Sequence, residues 1–278
     1  MPAEEMIELA RMAEEIGFEG MMGADHGFVP ETMAADYLYT EDGKPPIHGG
    51  LPYPETWTTL TAMAMATTRL KLSCAVYVLP LRNPIEVAKA TGTLSRVSNG
   101  RVILGAGAGW MKEEFDVYGV DFKTRGRRMD ECIEVIRKLQ QGGYVEHRGE
   151  FFDFPPLAIG PAPDAPVPIY IGGASKLALR RAARIGDGWI GAGNSIEEVE
   201  DILDQLNTMR REYGREQEPF EVVCPVMQVT ETERLKELEA KGLTSICFGF
   251  ADNYELPIEQ KHGFLDWFAQ NVMANFED

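Results

Sequence analysis

Long apolar runs are missing from this sequence: none approaches the ~18–20 residues that a membrane-spanning helix needs. Histidine is scarce. The four (His26, His48, His147 and His262) make a histidine-rich metal site an unexpected outcome. Cysteine is equally scarce, and Cys74, Cys132, Cys224 and Cys247 are too far apart for metal-ligand spacing. Buried, reduced thiols are therefore the default, with no metal called for. Positive charge is in deficit, with 27 Lys and Arg against 44 Asp and Glu and a net charge of -17, which argues against a nucleic-acid partner. The basic clusters Lys123-Arg125-Arg127-Arg128 and Lys176-Arg180-Arg181-Arg184 read as solvated helix faces. There is no G-x-S-x-G elbow of a hydrolase. Nor does a G-x-G-x-x-G follow the first strand with an acid about 20 residues on, as a doubly wound dinucleotide fold would require. The opening MPAEEMIEL is acidic and helical, unlike an ordinary signal peptide, so a soluble chain of the cytoplasm is expected.

What is present is a regular alternation. Apolar residues at Met6, Ile7, Leu9, Ala10, Met12, Ala13 and Ile16 predict a helix over 2–16, stopped by Gly17. Further helices are predicted over 55–68, 84–98, 124–141, 176–185, 195–213, 231–241 and 257–273. Ser195 with Glu198 forms the capping-box pattern at one of them. Strands are predicted near 18–24, 70–79, 101–105, 167–172, 188–192, 220–229 and 244–250. Strand alternating with helix predicts parallel strands in one domain over 1–278. VEHRGEFFDF reads as a short β-hairpin insertion near 142–166. Seven strands and a helix at the start fit an α/β fold of the TIM (β/α)₈ type that lacks its first β-strand. Such a gap implies a longer natural chain or a covering segment, because an open sheet edge is a liability.

Val167–Gly191 is the stretch that the chain is organised around. A continuously apolar strand meets the Gly172-Gly173 turn, then Ser175 as cap and a helix from Lys176. The glycines permit a sharp turn, and the helix start offers free N–H groups to a phosphate. An ordinary strand–loop–helix joint accounts for these residues equally well. In a barrel, function sits at the C-terminal ends of the strands. Those ends here are Asp25-His26, Tyr77–Pro80, Gly105–Trp110, Gly172–Ser175, Gly191–Asn194 and Gly249–Asp252, rich in glycine and poor in nucleophiles. His26 is the one side chain among them able to titrate near neutral pH; capping the strand is its bland alternative. Trp110 could wall a cleft, and Trp189 suits either a cleft or the core. Glu113 and Glu114 read as a solvated helical turn. The long segment from Gly27 to Tyr53 is of a size usual for lids, binding loops or disordered stretches; it carries Phe28, Tyr37 and Tyr39, with Trp57 close by in sequence.

The run RVILGAGAGWMKEEFDVYGVDFKTRGRRMDECIEVIRKL (Arg101–Leu139) resembles the bacterial luciferase-like monooxygenase superfamily. So do PVPIYIGGASKLALRRAARIGDGWIG, GADHGFVP and VLPLRNPIEVAKATGTLSRVSNGR, and the likeness spans nearly the whole chain. It is most similar to the subgroup that uses the deazaflavin F420, while FMN-using relatives share most of these motifs. The resemblance implies a (β/α)₈ barrel with a flavin-like ring at its C-terminal mouth. It implies a non-prolyl cis peptide within Ser73–Val76, at Cys74-Ala75 or Ala75-Val76. It further implies cofactor contacts from Asp25, Cys74, Ala75, Val76, Gly105, Ala106, Gly107 and Trp110. Phosphate contacts would come from Gly172, Gly173, Ala174 and Ser175, with His26 as the catalytic group near the reactive carbon. The implied activity is hydride transfer between F420 and a small organic substrate. An FMN-dependent monooxygenase fed by a flavin or F420 reductase is the alternative, and a non-catalytic, flavin-binding or degenerate barrel is the second. A homodimer is expected by the same likeness.

Overall fold

The computed structural model describes residues 1–33, 37, 43–45, 47–249 and 255–276. The chain opens with helix α1 (Ala3–Ile16), whose C-cap Gly17 takes the left-handed conformation at φ 112°. Strand β1 (Gly20–Gly23) and helix α2 (Thr56–Ala66) follow, then β2 (Lys71–Cys74) and the two-residue β3 (Tyr77–Val78). Next come α3 (Pro84–Val97), β4 (Val102–Gly107), α4 (Lys112–Tyr118) and α5 (Arg125–Gln140). An antiparallel pair, β5 (Val145–Arg148) with β6 (Asp153–Leu157), is the expected hairpin insertion. The alternation then resumes with β7 (Ile169–Gly172), α6 (Lys176–Ile185), β8 (Gly188–Ile190), α7 (Ile196–Glu212), β9 (Glu221–Pro225), α8 (Thr232–Lys241), β10 (Ser245–Cys247) and α9 (Ile258–Asn271).

The main sheet runs β1-β2-β4-β7-β8-β9-β10, parallel throughout, with β3 as a second segment on β4. Its central strands are apolar on both faces, with Leu104, Ile169, Ile171 and Trp189 fully buried, as a parallel sheet covered by helices requires. Each helix buries one stripe; α5 turns Met129, Cys132, Ile133, Val135, Ile136 and Leu139 inward. The Ser195–Glu198 capping box starts α7 as its sequence predicts. Among the described residues, β1 and β10 end the path and do not pair with each other. A cavity of 810 Å³ lies between them, bounded by Met21, Gly23, Ser245 and Cys247 and covered by Leu9 of α1 and Phe268 of α9. This opening is where the expected barrel is short of one strand. No helix among the described residues is long and apolar enough to cross a membrane.

Two boundaries differ from expectation. The run 70–79 is not one strand: β2 stops at Cys74 and the chain bulges through Ala75 and Val76 before β3. Glu113 and Glu114, read as a solvated helical turn, lie within α4, which Gly119 ends at φ 68°. Phe250 and the stretch to Asp252, read as the end of the last strand, lie outside the described residues, as does Tyr39.

Glu14 ties α1 to the turn before β2. Its carboxylate accepts from the backbone N–H groups of Thr68 (2.8 Å), Arg69 (2.5 Å) and Leu70 (2.8 Å), and from the Thr68 hydroxyl (3.0 Å). Desolvation pushes this carboxyl up, but the donors from Arg69, Thr68 and Leu70 outweigh it and bring its pKa from 4.5 to about 2. A carboxyl depressed by folding contributes stability that is complete above pH 4.5 and lost as pH falls through about 2. Glu14→Gln is expected to cost about 1 kcal/mol at neutral pH. In urea unfolding, its difference from the wild type should shrink across that acid window. A difference that stays constant with pH would contradict this account.

Candidate functional site

The bulge after β2 is built by residues distant in sequence. The Ala75–Val76 peptide bond is cis, one of the two positions expected. Val76 sends its side chain over β4 and β7: a Cβ added at Gly107 would lie 2.3 Å from Val76 Cγ2, and one at Gly172 2.5 Å from Val76 Cγ1. A Cβ on Gly105 would fall 1.9 Å from the Cys74 carbonyl oxygen. These glycines therefore admit the bulge itself. Asp25, just past β1, clamps the far side. Its carboxylate accepts the Val78 N–H (2.9 Å), the Thr56 hydroxyl (3.3 Å) and Arg82 Nη2 (2.9 and 3.0 Å). The Arg82 guanidinium also lies over the Tyr77 ring, 4.8 Å from its centroid. Desolvation opposes its charge, but Asp25 and Tyr77 outweigh that and hold its pKa above the ordinary value. Sequence reasoning missed Arg82 because nothing local marks it.

His26 follows directly. Its Nδ1 lies 3.2 Å from Glu114 Oε2, and the Gly27 N–H donates to Glu114 Oε1 at 2.7 Å. Glu114 is only 1% exposed on its side chain. The expectation of a solvated Glu114 is thus overturned: α4 turns this residue inward, where His26 and Gly27 satisfy it. Aromatic rings flank the imidazole, Tyr53 at 5.5 Å and Trp110 at 5.9 Å between centroids, both edge-on. Tyr37 packs on Trp110 in turn, at 5.0 Å. Trp110 thus lies between His26 and Tyr37.

At the end of β7 the chain turns through Gly173, at φ 108°, a conformation that side-chain-bearing residues rarely adopt. Ser175 Oγ then accepts the Ala178 N–H (3.3 Å) and caps α6. Ala174 and Ser175 are exposed, with the first-turn N–H groups of the ten-residue α6 behind them. Trp189 is fully buried, and its indole N–H donates to the Gly173 carbonyl at 2.9 Å, tying this turn to β8. Its place is the core.

Of the residues expected to meet a cofactor, the structure brings Asp25, Ala75, Val76, Gly105, Gly107 and Gly172 together around the bulge. Ala75 is exposed and Val76 partly so, while the Asp25, Cys74 and Ala106 side chains are buried. Burial pushes the Cys74 thiol well up, with the Asp25 carboxylate adding to it, so it is not a thiolate nucleophile. Burial likewise raises Cys132 and Cys247 to about 12. Tyr77, beneath Arg82, is raised by burial to about 12 and keeps its proton. Among the described residues no three His, Cys, Asp or Glu side chains converge as metal ligands.

A parallel α/β sheet with a bulged second strand, a carboxylate-held histidine and a glycine turn before a helix defines a barrel enzyme class. The chain belongs to the luciferase-like monooxygenase family, whose model matches residues 1–249. It is 38% identical to an uncharacterised protein of Mycobacterium tuberculosis over 96% of this chain and 94% of that one. It is 33% identical to the F420-dependent glucose-6-phosphate dehydrogenase of Amycolatopsis mediterranei over 72% of this chain and 56% of that protein. In architecture it is similar to an F420-dependent secondary alcohol dehydrogenase, with a TM-score of 0.79 at 17% identity, over 100% of this chain and 96% of that one.

Proposed function

We propose that this chain is an F420-dependent oxidoreductase that transfers a hydride between the deazaflavin and a small organic substrate. The observation that carries the reading is His26, held by the buried Glu114 beside a bulge whose Ala75 and Val76 stay accessible. The dehydrogenase of Amycolatopsis mediterranei, named for its F420 dependence, supports the deazaflavin over other cofactors. The residues suit such a group: small side chains at Ala75 and Ala174, a phosphate-compatible helix start, and no bulky side chain between Gly172 and Ser175.

When bound, the deazaflavin would accept the hydride from the substrate as it is oxidised, or give it back in the reverse direction. Ala75 and Val76 would then support one ring face, and Asp25 with Arg82 would keep that support in place. Ser175 and the first-turn N–H groups of α6 would hold the phosphate. His26 would take a proton from a substrate hydroxyl as it is oxidised, or return one in the reverse direction. Trp110 and Tyr53 would limit water beside the imidazole. The reading carries with it a homodimer of the cytoplasm and, in the direction of substrate reduction, a separate reductase that supplies reduced cofactor.

A parallel fluorescence titration with F420 and with FMN tests the proposal. Tight binding of F420 with little affinity for FMN is expected. Preference for FMN would move the chain to flavin-dependent oxygenation, in keeping with the monooxygenases that give the family its description. Binding of neither would leave a non-catalytic barrel.

A further inference from the structure

We infer that Glu114 is a positioning residue that sets the tautomer of His26. The inference rests on the reading of His26 as the acid–base group and adds to it the part that decides which ring nitrogen can act. A carboxylate only accepts hydrogen bonds, so the 3.2 Å contact from Glu114 Oε2 requires the proton of the neutral ring on Nδ1. That leaves the lone pair on Nε2. The second carboxylate oxygen is not free to rotate into the same role, because the Gly27 N–H holds Oε1 at 2.7 Å. Burial of Glu114 keeps water from competing for either oxygen. The Tyr53 and Trp110 rings pack edge-on against the imidazole, at 5.5 and 5.9 Å between centroids. The arrangement follows the logic by which a buried carboxylate orients a histidine base in a hydrolytic triad, on an unrelated frame.

The Gly27 N–H also dictates what an isosteric change would do. In Glu114→Gln the amide oxygen stays with Gly27, its only donor here, and the NH₂ group faces Nδ1. Nδ1 must then accept, the ring proton moves to Nε2, and the nitrogen that should take the substrate proton becomes a donor. Shape and volume are unchanged.

Long-range ¹H–¹⁵N NMR of the cofactor-free protein at about pH 9, where histidines are neutral, reads the tautomer directly. The signal that disappears in His26→Asn is that of His26. The Nδ1–H form is expected in the wild type and the Nε2–H form in Glu114→Gln. With any alcohol that the wild type oxidises, Glu114→Gln should lose about 10²-fold or more in kcat with KM within about twofold. An Nε2–H ring in the wild type, an unchanged tautomer in the variant, or unchanged kcat would each overturn the inference. Because the spectra need no cofactor, a failure to bind F420 would sink the proposed function and leave the tautomer assignment standing.

Discussion

His26→Ala is expected to lower turnover by about 10²–10⁴-fold while leaving F420 affinity within a few-fold of the wild type. The size follows from the role: a positioned acid–base group lowers the barrier of proton movement. Tyr53 and Trp110 are its neighbouring rings, both edge-on to the imidazole. The variant also leaves Glu114 buried with the Gly27 N–H as its remaining contact of the pair, so a stability loss of about 1–3 kcal/mol accompanies it. A melting curve on the same preparation separates that loss from the kinetic one. Full turnover in a folded His26→Ala protein would remove His26 from the chemistry.

The second large effect belongs to a residue that touches no substrate. Gly105→Ala should destabilise the protein by roughly 3 kcal/mol or more, because its Cβ would meet the Cys74 carbonyl oxygen at 1.9 Å. That oxygen is backbone of the neighbouring strand and cannot swing aside as a side-chain end can. Ile190 Cδ1, at 2.8 Å from the same position, closes the other exit. Gly263 in α9 is the internal control, since a Cβ there meets nothing within 4 Å. Gly263→Ala should gain about 0.5–1 kcal/mol from helix propensity alone. Chemical denaturation of the two variants beside the wild type gives the comparison. Equal stability of Gly105→Ala and the wild type would mean that β2 and β4 do not approach as described.

Together the two variants separate the two parts of the site. The bulge is a packing device: Val76 needs Gly107 and Gly172 to be bare, and Asp25 spends its carboxylate on Val78, Thr56 and Arg82. The histidine is held by its surroundings, through Glu114, which the Gly27 N–H also engages.

Much of this could be read in the order of residues. Period-3.6 apolar spacing on α1 and α5, the Ser195–Glu198 box and the Gly172-Gly173 turn before Ser175 are local signals, settled within a few bonds along the chain. The parallel sheet followed from alternation, and the hairpin from a break in it. His26 was legible from its place at a strand end. Its partner was not: Glu114 lies 88 residues away, and nothing in KEEF distinguishes Glu114 from Glu113 until α4 packs. Arg82 reaches Asp25 across 57 residues, and Val78 reaches it across 53. The glycines of β4 were visible, but their reason was not, because the Val76 and Cys74 atoms that forbid a Cβ arrive from another strand.

The sequence by itself determined the class of fold, the order of its elements and the glycine turn with its serine cap at the start of α6. These rest on backbone propensity and hydrophobic period, which act over a handful of residues. Only the tertiary structure decided which acid holds the histidine, why Gly105 and Gly107 bear no side chain, and that the sheet's two end strands flank a cavity. Each of those depends on contacts between segments that share no local pattern, formed when burial makes an unpaired carboxylate or an extra methyl group too costly to keep.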